Sequence, residues 1–440
     1  MAPHAQSTDI FEHRIFEQRE SEVRSYCRSF PAVFERASGH HLWDTEGRRY
    51  VDLLCGAGAL NYGHNPAAIV RAVTDYLLDG GPVQSLDLYT KAKAAFLARF
   101  SAEILTPRGL ADFVVQFPGP AGTLAVEAAL KLARKYTGRT GVIAFRGGFH
   151  GASLGSLAAT SSPLLRGAAG VSLTGVTILP HPATAGSSSL EVLEHALLRS
   201  DTLRPPAAIL LEVVQGEGGL VVAPPHWLAE VRRIADQIGA LVIVDDIQAG
   251  CGRTGSFFSF EHAAQLQPDL VCLSKSLSGM GLPMAALLIR RDRDVWAPGE
   301  HNGTFRGHNL AFVGATAALD YWADPSFVGH LSDLAGVIET DLADIAERQP
   351  AGVAVPVGRG SMSGLRFADA ELAGRVSAEL FRAGIIAETC GGGRVVKLFP
   401  PLTMTLSDWS EVAGRLGDVV SAVVGRSIRV NRTAFESWAA

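Results

Sequence analysis

The stretch LVIVDDIQAG, residues 241–250, runs through four apolar residues and stops abruptly at two carboxylates, Asp245 and Asp246. An apolar run of strand length with no polar face reads as a strand buried on both sides, as in parallel or mixed sheets. Ligands of open α/β sheets bind at the carboxyl ends of such strands. A carboxylate there is costly to bury without a partner. The partner is a cationic ligand nitrogen, a metal ion, or Arg253. Gln248, three residues on, is positioned for the same cleft. A second stretch, LVCLSKSLSG at 270–279, repeats the pattern with Lys275 among Ser274, Ser276 and Ser278. Lysine seldom buries fully. At a strand end it either reaches back to solvent or is partly desolvated, and a desolvated amine is nucleophilic enough for a Schiff base.

Working outward, Phe113–Gln116, Gly141–Phe145, Ala208–Glu212 and Ala285–Arg290 are further strand-sized apolar runs. Helical patterns lie between them. Ala125–Tyr136 lines up Val126, Ala129, Leu130 and Ala133 and offers Glu127 and Lys131 as an i,i+4 pair. Pro225–Gly239 repeats Trp227, Val231 and Ile234 at helical spacing. Strands alternating with helices predict an α/β domain. His41–Leu53 reads as a hairpin around Thr45, Glu46 and Gly47, after a charged lead-in over residues 1–25 that includes Glu12, Arg14 and Glu17. From Phe327 the rhythm changes: helical stretches at 331–348 and 369–383 surround strand-like Gly364–Phe367, then Val395–Leu398 and a last helix follow. This predicts a small α+β domain.

Gly119–Thr123, GPAGT, joins a strand to the Ala125 helix. Small residues at a helix N-terminus let backbone N–H groups approach an anion, and Thr123 adds a hydroxyl, so a phosphate cradle is one reading. An ordinary loop with Thr123 as helix cap is the other. The segment is neither a P-loop nor G-x-G-x-x-G.

Composition excludes several classes. Hydrophobic residues at 47% and charged residues at 19% supply a sizeable core and rule out a disordered chain. Lys plus Arg is 39 against 44 Asp plus Glu, and a net charge of −5 argues against nucleic-acid binding by bulk charge. No apolar run reaches the ~20 residues needed to span a bilayer, and the first thirty residues lack a signal-peptide pattern. Five cysteines, an odd number with no C-x-x-C, predict neither a disulfide framework nor a structural metal site. A cytoplasmic protein without metal is the expectation. A phosphate cradle, a strand-end carboxylate and a strand-end lysine on one face are together what a pyridoxal 5'-phosphate site needs.

These residues carry a family resemblance. VDDIQAGCGRTG (244–255) resembles the D-E-[VI]-Q-x-G-x-G-R-T-G signature of class III, or omega, pyridoxal-phosphate aminotransferases. SKSLSGMGLPMAALLI (274–289) resembles their lysine segment, thirty residues on from Asp245 to Lys275. AGTLAVEAALKLAR (121–134), FHG (149–151), EVVQGEGG (212–219) and HNGTFRGHNLA (301–311) resemble the phosphate helix, the ring-stacking segment, E-P-x-Q-G-E-G-G and the stretch that reaches a partner subunit's phosphate. The similarity runs from about Glu20 to Val424. It implies the fold type I architecture of that family: a large domain with a mostly parallel central sheet flanked by helices, and a small α+β domain built from both termini. The division implied is 1–80 with the small domain, 81–326 as the cofactor-binding domain, and 327–440 as the rest of the small domain.

The resemblance also implies roles. Lys275 holds the cofactor and shuttles the proton, Asp245 pairs with the pyridinium nitrogen, Gln248 bonds the phenolic oxygen, and Phe149 stacks on the ring. Gly122 and Thr123 bind phosphate, and Thr304 arrives from another subunit, implying a homodimer or higher oligomer. Within the family, ESEVRSYCRSFP (20–31), GAGALNYGHNP (56–66), SLDLYTKAK (85–93) and VVKLFPPLTMT (395–405) resemble the diaminobutyrate–2-oxoglutarate aminotransferases of ectoine and siderophore pathways. The activity implied moves the terminal amine of L-2,4-diaminobutyrate to 2-oxoglutarate, in reverse in a biosynthetic setting, with small amino acids and keto acids as the only partners besides the second subunit. Other omega-amino-acid transaminases, an aminomutase needing no second keto acid, and a non-enzymatic binding protein are the rival readings.

Two departures stand out. Asp246 occupies a position where most of the family has Glu. Lys397 stands where many members carry an arginine that reads glutamate's α-carboxylate and is masked in the other half-reaction by a glutamate matching Glu217. Lysine is a point charge rather than a bidentate fork, so Arg394 or another arginine is a candidate to compensate, and Lys397 as a solvated strand residue is the plain alternative.

Overall fold

The computed structural model describes residues 14–199 and 204–438, so Glu12 and the extreme ends of the first and last segments expected above lie outside the described residues. The strands in chain order are β1 (Phe34–Ser38), β2 (His41–Asp44), β3 (Arg49–Asp52), β4 (Phe113–Gln116), β5 (Val142–Phe145), β6 (Val176–Leu179), β7 (Ala208–Leu211), β8 (Val214–Gln215) and β9 (Val221–Val222). They continue as β10 (Leu241–Asp245), β11 (Leu270–Leu273), β12 (Ala286–Arg290), β13 (Ala354–Arg359), β14 (Met362–Phe367), β15 (Ile385–Ile386), β16 (Thr389–Cys390) and β17 (Val395–Leu398). The helices that matter below are α1 (Ala67–Leu78), α2 (Gly122–Thr137), α3 (Pro225–Ile238), α4 (Asn309–Ala323), α5 (Pro325–Glu347), α6 (Ala370–Arg382) and α7 (Leu406–Trp438).

Seven strands form the central sheet in the order β4-β12-β11-β10-β7-β5-β6. β6, an edge strand in which only Leu179 is buried, is the strand of this sheet that the apolar runs above do not include. The pairs β10–β11, β10–β7, β5–β7 and β5–β6 are parallel, while β12 runs antiparallel to both its neighbours. The runs are apolar throughout because each face is covered. Val242 and Val244 of β10 pack in one core with Trp227 of α3 and Phe312 of α4. Leu241 and Ile243 pack in another with Ala125, Ala129 and Ala133 of α2. Alternate residues of one strand therefore serve opposite layers, as the period of 2 requires.

The hairpin β2–β3 forms as expected, closed at Gly47, which adopts a left-handed φ of +79°. β1 joins it on one side, and β15 pairs in parallel with β3 on the other. Residues from both ends of the chain thus share a sheet. A second four-stranded sheet, β13-β14-β17-β16, packs with α5, α6 and α7 around Leu334, Leu380 and Trp409. A smaller cluster, including Cys55, Val214, Ala249, Met362 and Phe399, ties these sheets to the segments that follow β7 and β10 of the central one. The polar ends of β10 and β11 open beside that junction.

Candidate active site

Asp245 ends β10 and Lys275 follows β11, the adjacent parallel strand, so sheet register brings them to one edge. The Asp245 carboxylate is buried. Its Oδ2 lies 2.8 Å from His150 Nδ1, and its Oδ1 accepts the Ile247 N–H at 3.2 Å. His150 is itself fixed by its backbone N–H donating to Thr160 Oγ1 at 2.9 Å. Burial alone would lower the imidazole pKa, but the hydrogen bond and charge of Asp245 outweigh it, and the net direction is upward. His150 is a residue that sequence reasoning passed over; its place beside Phe149 in FHG was the signal that could have found it. Behind it, Glu212 accepts the Phe149 N–H at 3.0 Å and the Gly216 N–H at 3.2 Å, and burial pushes its carboxyl up to about 7.

Lys275 adopts φ +50°, a left-handed conformation that is costly for a residue with a side chain. Its neighbours hold it there: Ser274 Oγ donates to the Met284 carbonyl and Ser276 Oγ to the Gly58 carbonyl, each at 2.7 Å. The Lys275 amine donates to the Ala57 carbonyl at 2.6 Å. That carbonyl is presented by a left-handed run through Cys55, Gly56 and Ala57, with φ of +53°, +58° and +54°. Desolvation, and then the positive charge of Lys397, lower the Lys275 pKa to about 8. Gln248 Nε2 donates to the same Ala57 carbonyl at 3.2 Å and to Glu217 Oε1 at 3.3 Å. Its Oε1 is buried without a hydrogen-bond partner among the described residues.

Gly122 opens α2, and no side chain caps that helix, so its first N–H groups remain available. Thr123 is not the cap. Its Oγ1 lies 2.6 Å from both Ser153 Oγ and Ser156 Oγ. Gly151 approaches so closely, at φ +127°, that a Cβ there would overlap Thr123 Oγ1. The expected Glu127–Lys131 pair does not form. Glu127 turns inward to accept Ser153 Oγ at 2.7 Å and the Ser156 N–H at 3.0 Å, while Lys131 donates to the Glu300 carbonyl. The Phe149 ring is 37% exposed and has no aromatic partner among the described residues.

The far end of the site is charged and dry. Lys397, on β17, is only 1% exposed, so the solvated alternative is overturned. Its Nζ donates to Glu217 Oε1 at 2.7 Å and lies 2.7 Å from Glu388 Oε1. Desolvation works against the ammonium, yet the two carboxylates win and its pKa moves well above the ordinary lysine value. Glu217 is held down, because Lys397 outweighs the burial that would raise it, whereas for Glu388 burial and the Glu217 charge prevail and its pKa is raised. Arg394 does not compensate for the missing arginine: it is exposed. Arg253 does not pair with Asp246 either. Its buried guanidinium binds Asn61 Oδ1 and the carbonyls of Ser361 and Pro400. Asp246 instead accepts the Ser259 N–H at 3.0 Å, and burial raises its carboxyl to about 7.

The class-III aminotransferase family model matches residues 24–420. The chain belongs to the class-III aminotransferases. It is 49% identical to a diaminobutyrate–2-oxoglutarate transaminase of Halalkalibacterium halodurans over 394 residues, covering 89% of this chain and 92% of that one. It is also 49% identical to one from Vibrio cholerae over 397 residues, covering 90% and 96%. Among solved structures, ornithine aminotransferase from Toxoplasma gondii superposes with a TM-score of 0.82 at 25% identity, covering 94% of this chain and 95% of that one. A second structure of that enzyme carries pyridoxal phosphate at partial occupancy in its active site.

As a class-III aminotransferase this chain uses pyridoxal phosphate, and its residues fit that group. The uncapped start of α2 with the Thr123 hydroxyl suits a phosphate. The buried Asp245 suits a protonated ring nitrogen, the unpaired buried Gln248 Oε1 marks a polar partner to be filled, and the desolvated Lys275 amine suits an aldehyde. Thr304 is not brought to this cradle within one chain. It is exposed, its backbone carbonyl accepts from Gln84 Nε2, and no hydrogen bond links it to Gly122 or Thr123. No helix among the described residues is long and apolar enough to cross a membrane.

Proposed function

We propose that this aminotransferase moves the terminal amine of L-2,4-diaminobutyrate to 2-oxoglutarate, giving L-aspartate 4-semialdehyde and glutamate, and runs in reverse in a biosynthetic setting. The observation that carries this reading is a continuous polar track. Lys275 and Gln248 meet at the Ala57 carbonyl, Gln248 reaches Glu217, and Glu217 holds Lys397. Such a track suits a small substrate that carries both an amine and a carboxylate, and the relatives named above supply the particular amino acid.

When bound, pyridoxal phosphate supplies an electron sink for the carbon bearing the reacting amine. The chain's own residues do the rest. Gly122 and Thr123 hold the phosphate. Asp245, oriented by His150, would keep a proton on the ring nitrogen, Gln248 would bond the phenolic oxygen, and Phe149 would lie against the ring. Lys275 Nζ would move the proton from the substrate carbon, which its lowered pKa of about 8 allows near neutral pH. Lys397 attracts a substrate carboxylate, with Glu217 its counter-ion when none is bound.

The site is completed by a second copy of the chain. Leu88 and Phe305, each 64% exposed, lie on segments joined by the Ser85–Gly307 and Gln84–Thr304 hydrogen bonds. Such an apolar patch favours association, and it carries Thr304 toward a neighbour's phosphate. The enzyme therefore acts as a homodimer or higher oligomer, in the cytoplasm.

The test is a half-reaction without keto acid. Cofactor-loaded protein is mixed in turn with diaminobutyrate, glutamate, ornithine and 4-aminobutyrate, and the cofactor absorbance is followed. Rapid change with diaminobutyrate and glutamate, and slow change with the others, is expected. Preference for ornithine or 4-aminobutyrate would discard the substrate assignment, and sustained turnover without 2-oxoglutarate would point to an aminomutase.

A further inference from the structure

The hydrogen bond between Lys275 and Ala57 is unusual at both ends. Lys275, at φ +50°, donates from Nζ to the Ala57 carbonyl at 2.6 Å, and Ala57 itself sits at φ +54°. Ala57 belongs to a run of left-handed residues that begins with Cys55 and Gly56 and continues through Gly58 at φ +89°. Residues with a Cβ visit this region singly rather than in runs, so a run that includes Cys55 and Ala57 persists only where its surroundings over-determine it. They do so here from both sides. Asp52 Oδ1 accepts the N–H groups of Leu54 and Cys55 at 2.8 and 2.9 Å. Ser276, the neighbour of Lys275, donates from Oγ to the Gly58 carbonyl at 2.7 Å and accepts the Asn61 N–H at 3.1 Å. Arg253 donates to Asn61 Oδ1 at 2.6 Å, and Asn61 Nδ2 donates to the Cys251 carbonyl at 2.8 Å. The turn is thus fastened both to the residue beside the lysine and to the loop that follows β10. Its left-handed run aims one carbonyl at Lys275, and among the described residues this carbonyl is the hydrogen-bond acceptor of the Lys275 amine.

Resting on the role proposed for Lys275, we propose that the Ala57 carbonyl is the seat of the Lys275 amine whenever that amine is not bonded to the cofactor. Ala57 is a positioning residue that acts through Lys275. The seat does two things. It keeps the end of a flexible four-carbon chain beside Gln248, whose Nε2 donates to the same carbonyl at 3.2 Å. It also favours one protonation state, because a carbonyl oxygen accepts a stronger hydrogen bond from an ammonium than from a neutral amine. The seat therefore works against the burial that lowers the Lys275 pKa, and it holds the amine back until it gives up its extra proton.

The test sets two substitutions of Ala57 against each other in protein stripped of pyridoxal phosphate, with cofactor uptake followed by absorbance across pH. Glycine adopts the left-handed region at no steric cost, so Ala57→Gly keeps the carbonyl where it is. Valine, branched at Cβ, is an outlier there, so Ala57→Val turns the peptide toward ordinary φ and takes the carbonyl away from the lysine. Ala57→Val should lower the midpoint of uptake by about one pH unit, the size expected for a lost hydrogen bond to a charged group. At neutral pH the fraction of amine in the neutral form, and with it the uptake rate, then rises about fivefold. Ala57→Gly should leave the midpoint near 8. A midpoint unmoved in Ala57→Val, or lowered equally in Ala57→Gly, overturns the inference. If Ala57→Val does not accumulate as folded protein, Ser276→Ala releases the Gly58 carbonyl and leaves residue 57 unaltered. The midpoint should then fall by a smaller amount, and an unmoved midpoint overturns the inference. Lys275→Ala separates this inference from the role it rests on. The same absorbance change on uptake without Lys275 overturns both, whereas its loss in Lys275→Ala together with an unmoved midpoint in Ala57→Val overturns this inference alone.

Discussion

At the residue scale the chemistry turns on the protonation of one amine. Lys275 is nucleophilic only when neutral, and with a pKa lowered to about 8 it gains that form as pH rises through that value. Cofactor uptake by protein stripped of pyridoxal phosphate should therefore speed up from pH 6 to pH 9, half-maximal near pH 8, as followed by absorbance. Glu217 raises the Lys275 pKa, and Lys397 lowers it. Glu217→Gln removes the first influence and leaves Lys397 less neutralised, so the midpoint should move below 8; an upward shift would contradict the assignment of causes. Lys275→Ala should abolish turnover, and near-normal turnover would refute the mechanism. Gly151 makes a second prediction at this scale. An alanine Cβ there would collide with Thr123 Oγ1 in a backbone conformation that disfavours side chains. Displacing that hydroxyl loses a bond to a charged group, about 1.5–3 kcal/mol, so Gly151→Ala should raise the cofactor dissociation constant tenfold or more.

At the scale of elements, two kinds of support are separable. His150 orients Asp245 from the loop after β5 through a 2.8 Å contact between buried groups. His150→Gln should weaken cofactor binding about tenfold to hundredfold by equilibrium dialysis while leaving unfolding by urea little changed. Trp409 does the opposite. It is fully buried in α7, and its Nε1 donates to Asp341 Oδ2 of α5 at 2.8 Å. Trp409→Ala should cost ~3–5 kcal/mol of stability in a denaturant titration, with the pH midpoint of Lys275 unmoved. Strands such as β10 and β11 were legible in advance because a short all-apolar run that ends at polar residues fits a strand covered on both faces and little else. The edge strand β6 was not, although the equally half-buried edge strand β4 was. The Glu127–Lys131 pair was misjudged because helical spacing offers a weak contact, whereas a carboxylate beside two serine donors gains stronger ones.

At the scale of the whole molecule, the second copy of the chain proposed above rests on the exposed apolar segment around Leu88 and Phe305. Leu88→Asp combined with Phe305→Asp should shift the protein toward monomer in sedimentation velocity and lower activity in parallel. A monomer that keeps full activity would remove Thr304 from the proposed site.

Local order in the chain was enough to establish the alternation of strands and helices, the strand-end positions of Asp245 and Lys275, and the motifs that mark the family. The first two follow from periodicity and short spacings, which hydrophobic burial and backbone geometry impose within a few residues, and the motifs mark the family by resemblance. The companions of those residues were decided only by the tertiary structure. His150 meets Asp245 across 95 positions of chain, Lys275 meets Ala57 across 218, and Glu217 meets Lys397 across 180. Sheet order and the packing of the smaller sheets against the central one set those meetings. They also turned Lys397 from a strand residue of ambiguous standing into a buried cation between two acids, because a charge is kept in a dry junction only where its partners are folded in beside it.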